Sequence, residues 1–162
     1  MIYCFDTSSL IDLGERHYPE RIDVFSPIWD FIYEGISEGT IVSSDYVKIE
    51  LLKKADDWRE DFLSKADGMF KISEGIEQEY ASVILDIESK PEFNENSHRE
   101  RFLIGADPWV IALARLHGEC TVISSESKPL AKYGMGAVCS VLRVEHMSLI
   151  EFFEKNEIGN SK

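Results

Sequence analysis

The chain has 162 residues, 44% of them hydrophobic, which is enough to bury a core and too apolar for a disordered segment. Its formal net charge of −13, from 30 acids against 17 bases, excludes the usual basic footprint of a nucleic-acid binder. It leaves open an enzyme that meets phosphate through a bound cation, or a basic protein partner.

IYCFD, residues 2–6, reads as a buried strand that stops at an acid. After Pro19, Ile22, Phe25, Ile28, Trp29, Ile32, Tyr33 and Ile36 recur at helical spacing as far as Gly39. TIVSS (40–44) is a second short strand, and Asp45 can cap a helix through YVKIELLKK. DDWREDFLSKA continues as a polar helix to Gly68, and MFKIS is either a small strand or a connector. Residues 74–89 set Ile76, Tyr80, Val83, Ile84 and Ile87 on one helical side. KPEFNENSHRERF is polar, contains Pro91 and reads as a loop. ADPWVIALARLHG is the clearest helix, with Pro108 in its first turn and Gly118 as its C-terminal cap. CTVISSE is a third strand that again runs into hydroxyls and an acid. VCSVLRVEHM holds a fourth strand near residues 142–146, and SLIEFFEKN closes the chain as a helix capped by Ser148.

Strands that alternate with helices predict an α/β fold, a three-layer α/β/α arrangement around a central parallel sheet. One domain is expected over residues 1–158, with 159–162 as a frayed tail. The cysteines Cys4, Cys120 and Cys139 form no CxxC pair and read as buried free thiols. No apolar run is long enough to span a bilayer, and the opening residues carry Asp6 rather than a basic stretch and a long apolar run. A cytoplasmic protein without membrane contact is therefore expected.

Parallel α/β sheets place their sites at the carboxyl ends of the strands. Asp6 ends the first strand, Glu126 follows the third, Asp107 opens a helix, and Glu50 lies about one and a half turns into the helix after the second strand. Each acid also has an ordinary structural use. Asp6 can cap the turn TSSL, Asp107 can be an N-cap ahead of Pro108, Glu50 can pair with Lys54, and Glu126 can be one surface acid among many. These uses predict no common location, whereas the strand-end rule does. Clustered carboxylates raise one another's pKa, and a hard divalent ion relieves the repulsion. Oxygen ligands without His or Cys favour Mg²⁺ or Mn²⁺, and His17, His98, His117 and His146 show no ligand spacing.

At these positions the sequence resembles a PIN domain, the ribonuclease fold of VapC-type toxins. FDTSSLI carries Asp6, VKIELLKK carries Glu50, GADPWVIALA carries Asp107, and VISSE carries Ser124 and Glu126, in the family's order and spacing across nearly the whole chain. Two positions depart from it: the fourth acid is Glu where many members have Asp, and Ser8 stands where Asn is frequent. The chain is also longer than the compact toxins, around DDWREDF and NENSHRERF, which suggests a distinct branch.

The resemblance implies metal-dependent hydrolysis of RNA phosphodiesters to 5′-phosphate products. Asp6, Glu50, Asp107 and Glu126 would hold Mg²⁺ or Mn²⁺ and carry the chemistry, and Ser8 and Ser124 would orient those carboxylates. His98, Arg99 and Arg101 form a rare basic spot, and Arg99 and Arg101 are candidate substrate contacts beside the plainer reading of a solvated loop. An antitoxin that covers the acidic site with a basic segment follows from the same resemblance. A homodimer is expected from apolar helices such as PIWDFIYEGI. The rivals are an aspartyl phosphotransferase, which wants an acid at Ser8, and a catalytically silent PIN-fold interaction module.

Overall fold

Successive side chains of IYCF must face opposite sides of any sheet they enter, and both sides are buried here. The structure, a computed structural model, describes residues 1–54 and 56–159; the expected frayed tail lies outside them except for Gly159. The chain runs β1 (Ile2–Phe5), α1 (Thr7–Ile11), α2 (Ser26–Glu38), β2 (Ile41–Ser44), α3 (Asp45–Leu52), α4 (Asp57–Lys65) and β3 (Phe70–Lys71). It continues with α5 (Ile76–Ser89), α6 (Ser97–Ile104), α7 (Asp107–His117), β4 (Cys120–Ile123), α8 (Met135–Leu142), β5 (His146–Met147) and α9 (Leu149–Lys155).

The five strands form one sheet in the order β3-β2-β1-β4-β5, and every pairing is parallel. On one face, Tyr3 and Phe5 pack edge-on against Phe152 of α9, with ring centroids 4.8 and 5.3 Å apart, and Phe31 of α2 joins them. On the other face, the Cys4 thiol points at the Val110 carbonyl of α7, 3.8 Å away. The fold is the expected three-layer α/β/α arrangement around a parallel sheet. All three cysteines are buried and free. Among the described residues, no helix is long and apolar enough to cross a membrane.

From β1 the chain first builds outward through β2 to β3, then returns to the other side of β1 for β4 and β5. Strand order therefore reverses between β1 and β4. In open parallel sheets the crevice outside the carboxyl ends at such a reversal is where ligands bind.

Two expectations change. KPEFNENSHRERF is not wholly a loop, because it contains α6. Asn96 caps that helix, its side-chain oxygen accepting from the N–H groups of His98 and Arg99 at 2.9 and 3.0 Å, and buried Phe102 anchors it. The strand expected at 142–146 is only β5, and the residues before it form α8. Met135, Val138, Cys139 and Leu142 recur at helical spacing and are all buried. In PIWDFIYEGI, Ile28, Trp29, Ile32 and Ile36 are buried in the chain's own core.

Past α1 the helix widens into a π-helical turn, Asp12–His17. Glu15 in that turn accepts from the buried Arg59 guanidinium of α4 through Nε and Nη2, and Arg59 Nη1 donates to the Leu51 carbonyl at 3.0 Å. One buried cation thus ties α4 to the end of α3 and to the segment that follows the site's first acid.

Candidate functional site

Each acid is placed by a local feature of its own sequence. The Asp6 N–H donates to the Ile123 carbonyl at 3.0 Å, so the end of β1 is stitched to β4. The chain then turns into α1 with Asp6 as its N-cap, Oδ1 accepting from the Ser9 N–H at 2.8 Å. The Ser8 hydroxyl lies 2.9 and 3.0 Å from the two carboxylate oxygens. Asp6 is therefore a turn cap, and it also opens onto the cleft between β1 and β4. Burial pushes its carboxyl up to about 6, against hydrogen bonds from Ser124, Ser9 and Ser8 that pull it down.

Ser8 is the hub of the switch point. Besides Asp6, its oxygen meets Ser124 Oγ at 3.3 Å and accepts from the Ser125 N–H at 3.3 Å. Ser124 is buried and its hydroxyl accepts from the Glu126 N–H at 3.3 Å. The two serines expected to orient the acids thus join the first and fourth motifs directly.

Glu50 does not pair with Lys54. Its Oε2 accepts from the Thr7 hydroxyl at 2.6 Å, and its Oε1 accepts from the Ala106 N–H at 2.8 Å. It therefore clamps the start of α1 to the start of α7. Asp107 is not the N-cap either. Ala106 holds that place and Asp107 is the first helical residue, followed by Pro108. Its carboxylate receives no hydrogen bond among the described residues. Burial first, then the negative charges of Asp6, Glu126 and Glu50, hold it well above the usual carboxylate range. Glu126 is half-buried, with Lys128 Nζ 3.4 Å from its Oε1.

Asp6, Glu50, Asp107 and Glu126, with Ser8, line one cleft of about 580 Å³ at the carboxyl ends of β1 and β4. Arg101 borders it and Arg99 does not. Arg99 turns to a separate groove beside Glu95, its Nη1 3.4 Å from that carboxylate. The cleft also holds residues that the sequence reading passed over, Thr7, Asp12, Arg16 and Lys128 among them. Thr7 is the hydroxyl next to Asp6 in FDTSSL, and Lys128 stands two residues after Glu126; their adjacency to the motifs was the available signal.

The donor set suits a hard divalent cation: five carboxylates, of which Asp12 pairs with Arg16 at 3.0 Å, with hydroxyls and no His or Cys in the lining. The Asp107 carboxylate, unpaired and crowded by negative charge, is the strongest single feature in favour of one. Among the described residues, no three such side chains converge closely enough to enclose an ion in this conformation. The reason is visible in the pairing: Glu50 is engaged by Thr7 and Ala106, and Glu126 by Lys128.

A family model described as a domain of unknown function (DUF4411) matches residues 3–159. No curated protein matches the chain.

Proposed function

The chain belongs to the DUF4411 family, and we propose that it is a Mg²⁺- or Mn²⁺-dependent endoribonuclease of PIN-like kind. The observation that carries this reading is that four acids from four separate elements meet in one cleft at the switch point, where each raises the cost of ionising Asp107. A turn cap, a clamp and two solvated acids would have no reason to share a cavity.

In this reading Asp6 and Asp107 hold the cation, and Glu50 and Glu126 complete its surroundings directly or through water. The bound cation supplies charge neutralisation at the scissile phosphate and a more acidic water. The chain's own residues supply the rest. Ser8 fixes the Asp6 carboxylate against rotation, since its hydroxyl reaches both oxygens. Glu50 sets the spacing between Asp6 and Asp107, because it holds the residue after one and the residue before the other. Lys128 holds Glu126 at the rim, 3.4 Å away, beside the acids that would hold the cation. Arg101, on the same rim, faces the phosphate chain.

The same proposal makes the protein the toxin of a cytoplasmic toxin–antitoxin pair, its cleft covered at rest by a basic antitoxin segment. Net charge of −13 supports a basic partner. A homodimer belongs to it as well; exposed Val24, Ile72 and Ile104 are apolar surface that such partners could cover. The rival, a silent interaction module, draws on one observation, the pairing of Glu126 with Lys128 in place of a third converging acid. Incubation of total RNA with Mn²⁺ decides between them. New 5′-phosphate ends that disappear with EDTA support the nuclease, and intact RNA with no metal-dependent thermal shift supports the module.

A further inference from the structure

A second, smaller cavity of about 170 Å³ opens beside the acidic cleft and shares Arg101, Asp107, Glu126 and Lys128 with it. One wall is basic: His98 and Arg101 from α6, Lys128, and Lys132. In a chain with 30 acids and 17 bases, this is a concentration of positive charge against the candidate site. Arg101 and Lys132 have no carboxylate partner among the described residues.

The cavity is built rather than accidental. Its two basic segments are tied together twice: the Tyr133 hydroxyl donates to the Asn94 carbonyl, and the Asn96 side-chain amide donates to the Ala131 carbonyl at 3.1 Å. Tyr133, which ends the short turn Leu130–Lys132, is held left-handed at φ 54°, a conformation a bulky residue rarely adopts without compensation. Gly134 lets the Lys128 backbone approach so closely that a Cβ there would lie 2.0 Å from the Lys128 carbonyl oxygen. Strain and close packing thus fix Lys128 and Lys132 on this wall.

A ligand that spans both cavities must offer one anion to Arg101 and Lys132, which have no carboxylate partner among the described residues, and the next to an acid cluster that needs a metal between. A chain of regularly spaced phosphates does both. We propose that the basic cavity is a phosphate subsite, in which His98, Arg101, Lys128 and Lys132 hold a backbone phosphate of the RNA strand adjacent to the one bound among the acids. The assignment of RNA rests on the nuclease reading; the anion site does not.

The test is metal-free binding, in EDTA, of a fluorescent 2′-O-methyl oligoribonucleotide followed by anisotropy over a range of NaCl concentrations. Wild type should bind, and Arg101→Gln/Lys132→Gln should bind more weakly with a salt slope smaller by about 0.7, the loss of one single-strand phosphate contact. Arg21→Gln/Arg143→Gln makes the same change in net charge elsewhere and should leave the slope unchanged. Tighter binding of a 5′-phosphorylated copy, lost in the first variant, would assign the subsite to a strand end. Equal slopes for wild type and Arg101→Gln/Lys132→Gln overturn the subsite, as does an equal drop in the control variant. Because no cleavage is involved, the two readings fail separately. A wild type that binds as described but cleaves nothing keeps the subsite and loses the nuclease; one that cleaves while the slopes are equal does the reverse.

Discussion

The Glu50 carboxylate accepts a hydrogen bond from the Thr7 hydroxyl at 2.6 Å, and the residue it reaches is the immediate neighbour of Asp6. Its other oxygen takes the N–H of Ala106, the immediate neighbour of Asp107. One side chain from α3 therefore fixes the separation of the two acids given the main part in cation binding. Glu50→Gln keeps an acceptor for one of these donors and should fold with little loss. Glu50→Ala leaves the buried Ala106 N–H unpaired and should cost about 1–3 kcal/mol in urea unfolding. Equal stability of the two variants would show that the clamp is not formed.

Asp6 links the site to pH. Its carboxyl is lifted from an ordinary value near 3.8 to about 6, so the folded state holds this proton more tightly than the unfolded chain does. The contribution is fully present below about pH 4 and is lost as pH rises through about 6, leaving an ionised Asp6 that costs on the order of 3 kcal/mol. Asn also caps helices, so Asp6→Asn should be more stable than wild type at pH 8 without metal, and the difference should vanish below pH 4. Asp6→Ala loses the cap as well, about 1 kcal/mol. Chemical unfolding of the three proteins at both pH values checks this; an Asp6→Asn protein less stable than wild type at pH 8 would contradict it.

Mg²⁺ or Mn²⁺ should raise the melting temperature. A ligand at a hundred times its Kd stabilises the native state by about 2.7 kcal/mol, roughly 5–10 °C for a chain of this size. The shift should be absent in Asp107→Asn, whose carboxylate has no hydrogen bond to lose. A shift of the same size in wild type and variant would place the metal elsewhere.

The Arg59–Glu15 pair is the main buried ion pair near the site. Arg59→Ala should cost about 3–5 kcal/mol, because it strands a half-buried carboxylate and the Leu51 carbonyl. Arg59→Met combined with Glu15→Leu should recover most of that loss. Unfolding free energies of the single and double variants measure the coupling directly.

Much of this was legible in the chain, and the failures have physical causes. ADPWVIALARLHG carried its own boundaries in Pro108 and Gly118, and α7 begins and ends beside them. Short strands ending in acids at Asp6 and Glu126 pointed to one sheet edge, and the cleft lies there. α6 was hidden because a polar eight-residue helix with one buried residue, Phe102, has almost no amphipathic pattern. α8 was hidden because its valines and Cys139 suit a strand as well as a helix, and only the spacing of Met135, Val138, Cys139 and Leu142 tells them apart. The basic spot divides across α6: Arg99 and Arg101, two residues and about half a turn apart, point to different sides, and only Arg101 faces the cleft. Lys128 escaped notice because its position depends on Gly134, six residues later, and on a left-handed Tyr133 that no local pattern announces.

Whether the acid cleft cuts RNA is tested most directly by the rate of RNA cleavage by Asp107→Asn in Mn²⁺. Asp107 is the right residue because, among the described residues, it caps nothing and receives no hydrogen bond, so its amide keeps the shape and removes only the charge. The account expects a variant that melts at or above the wild-type temperature without metal and cleaves at least about a hundredfold more slowly, the scale on which loss of one preorganised electrostatic group is felt. A folded Asp107→Asn protein that cleaves RNA at the wild-type rate would contradict it.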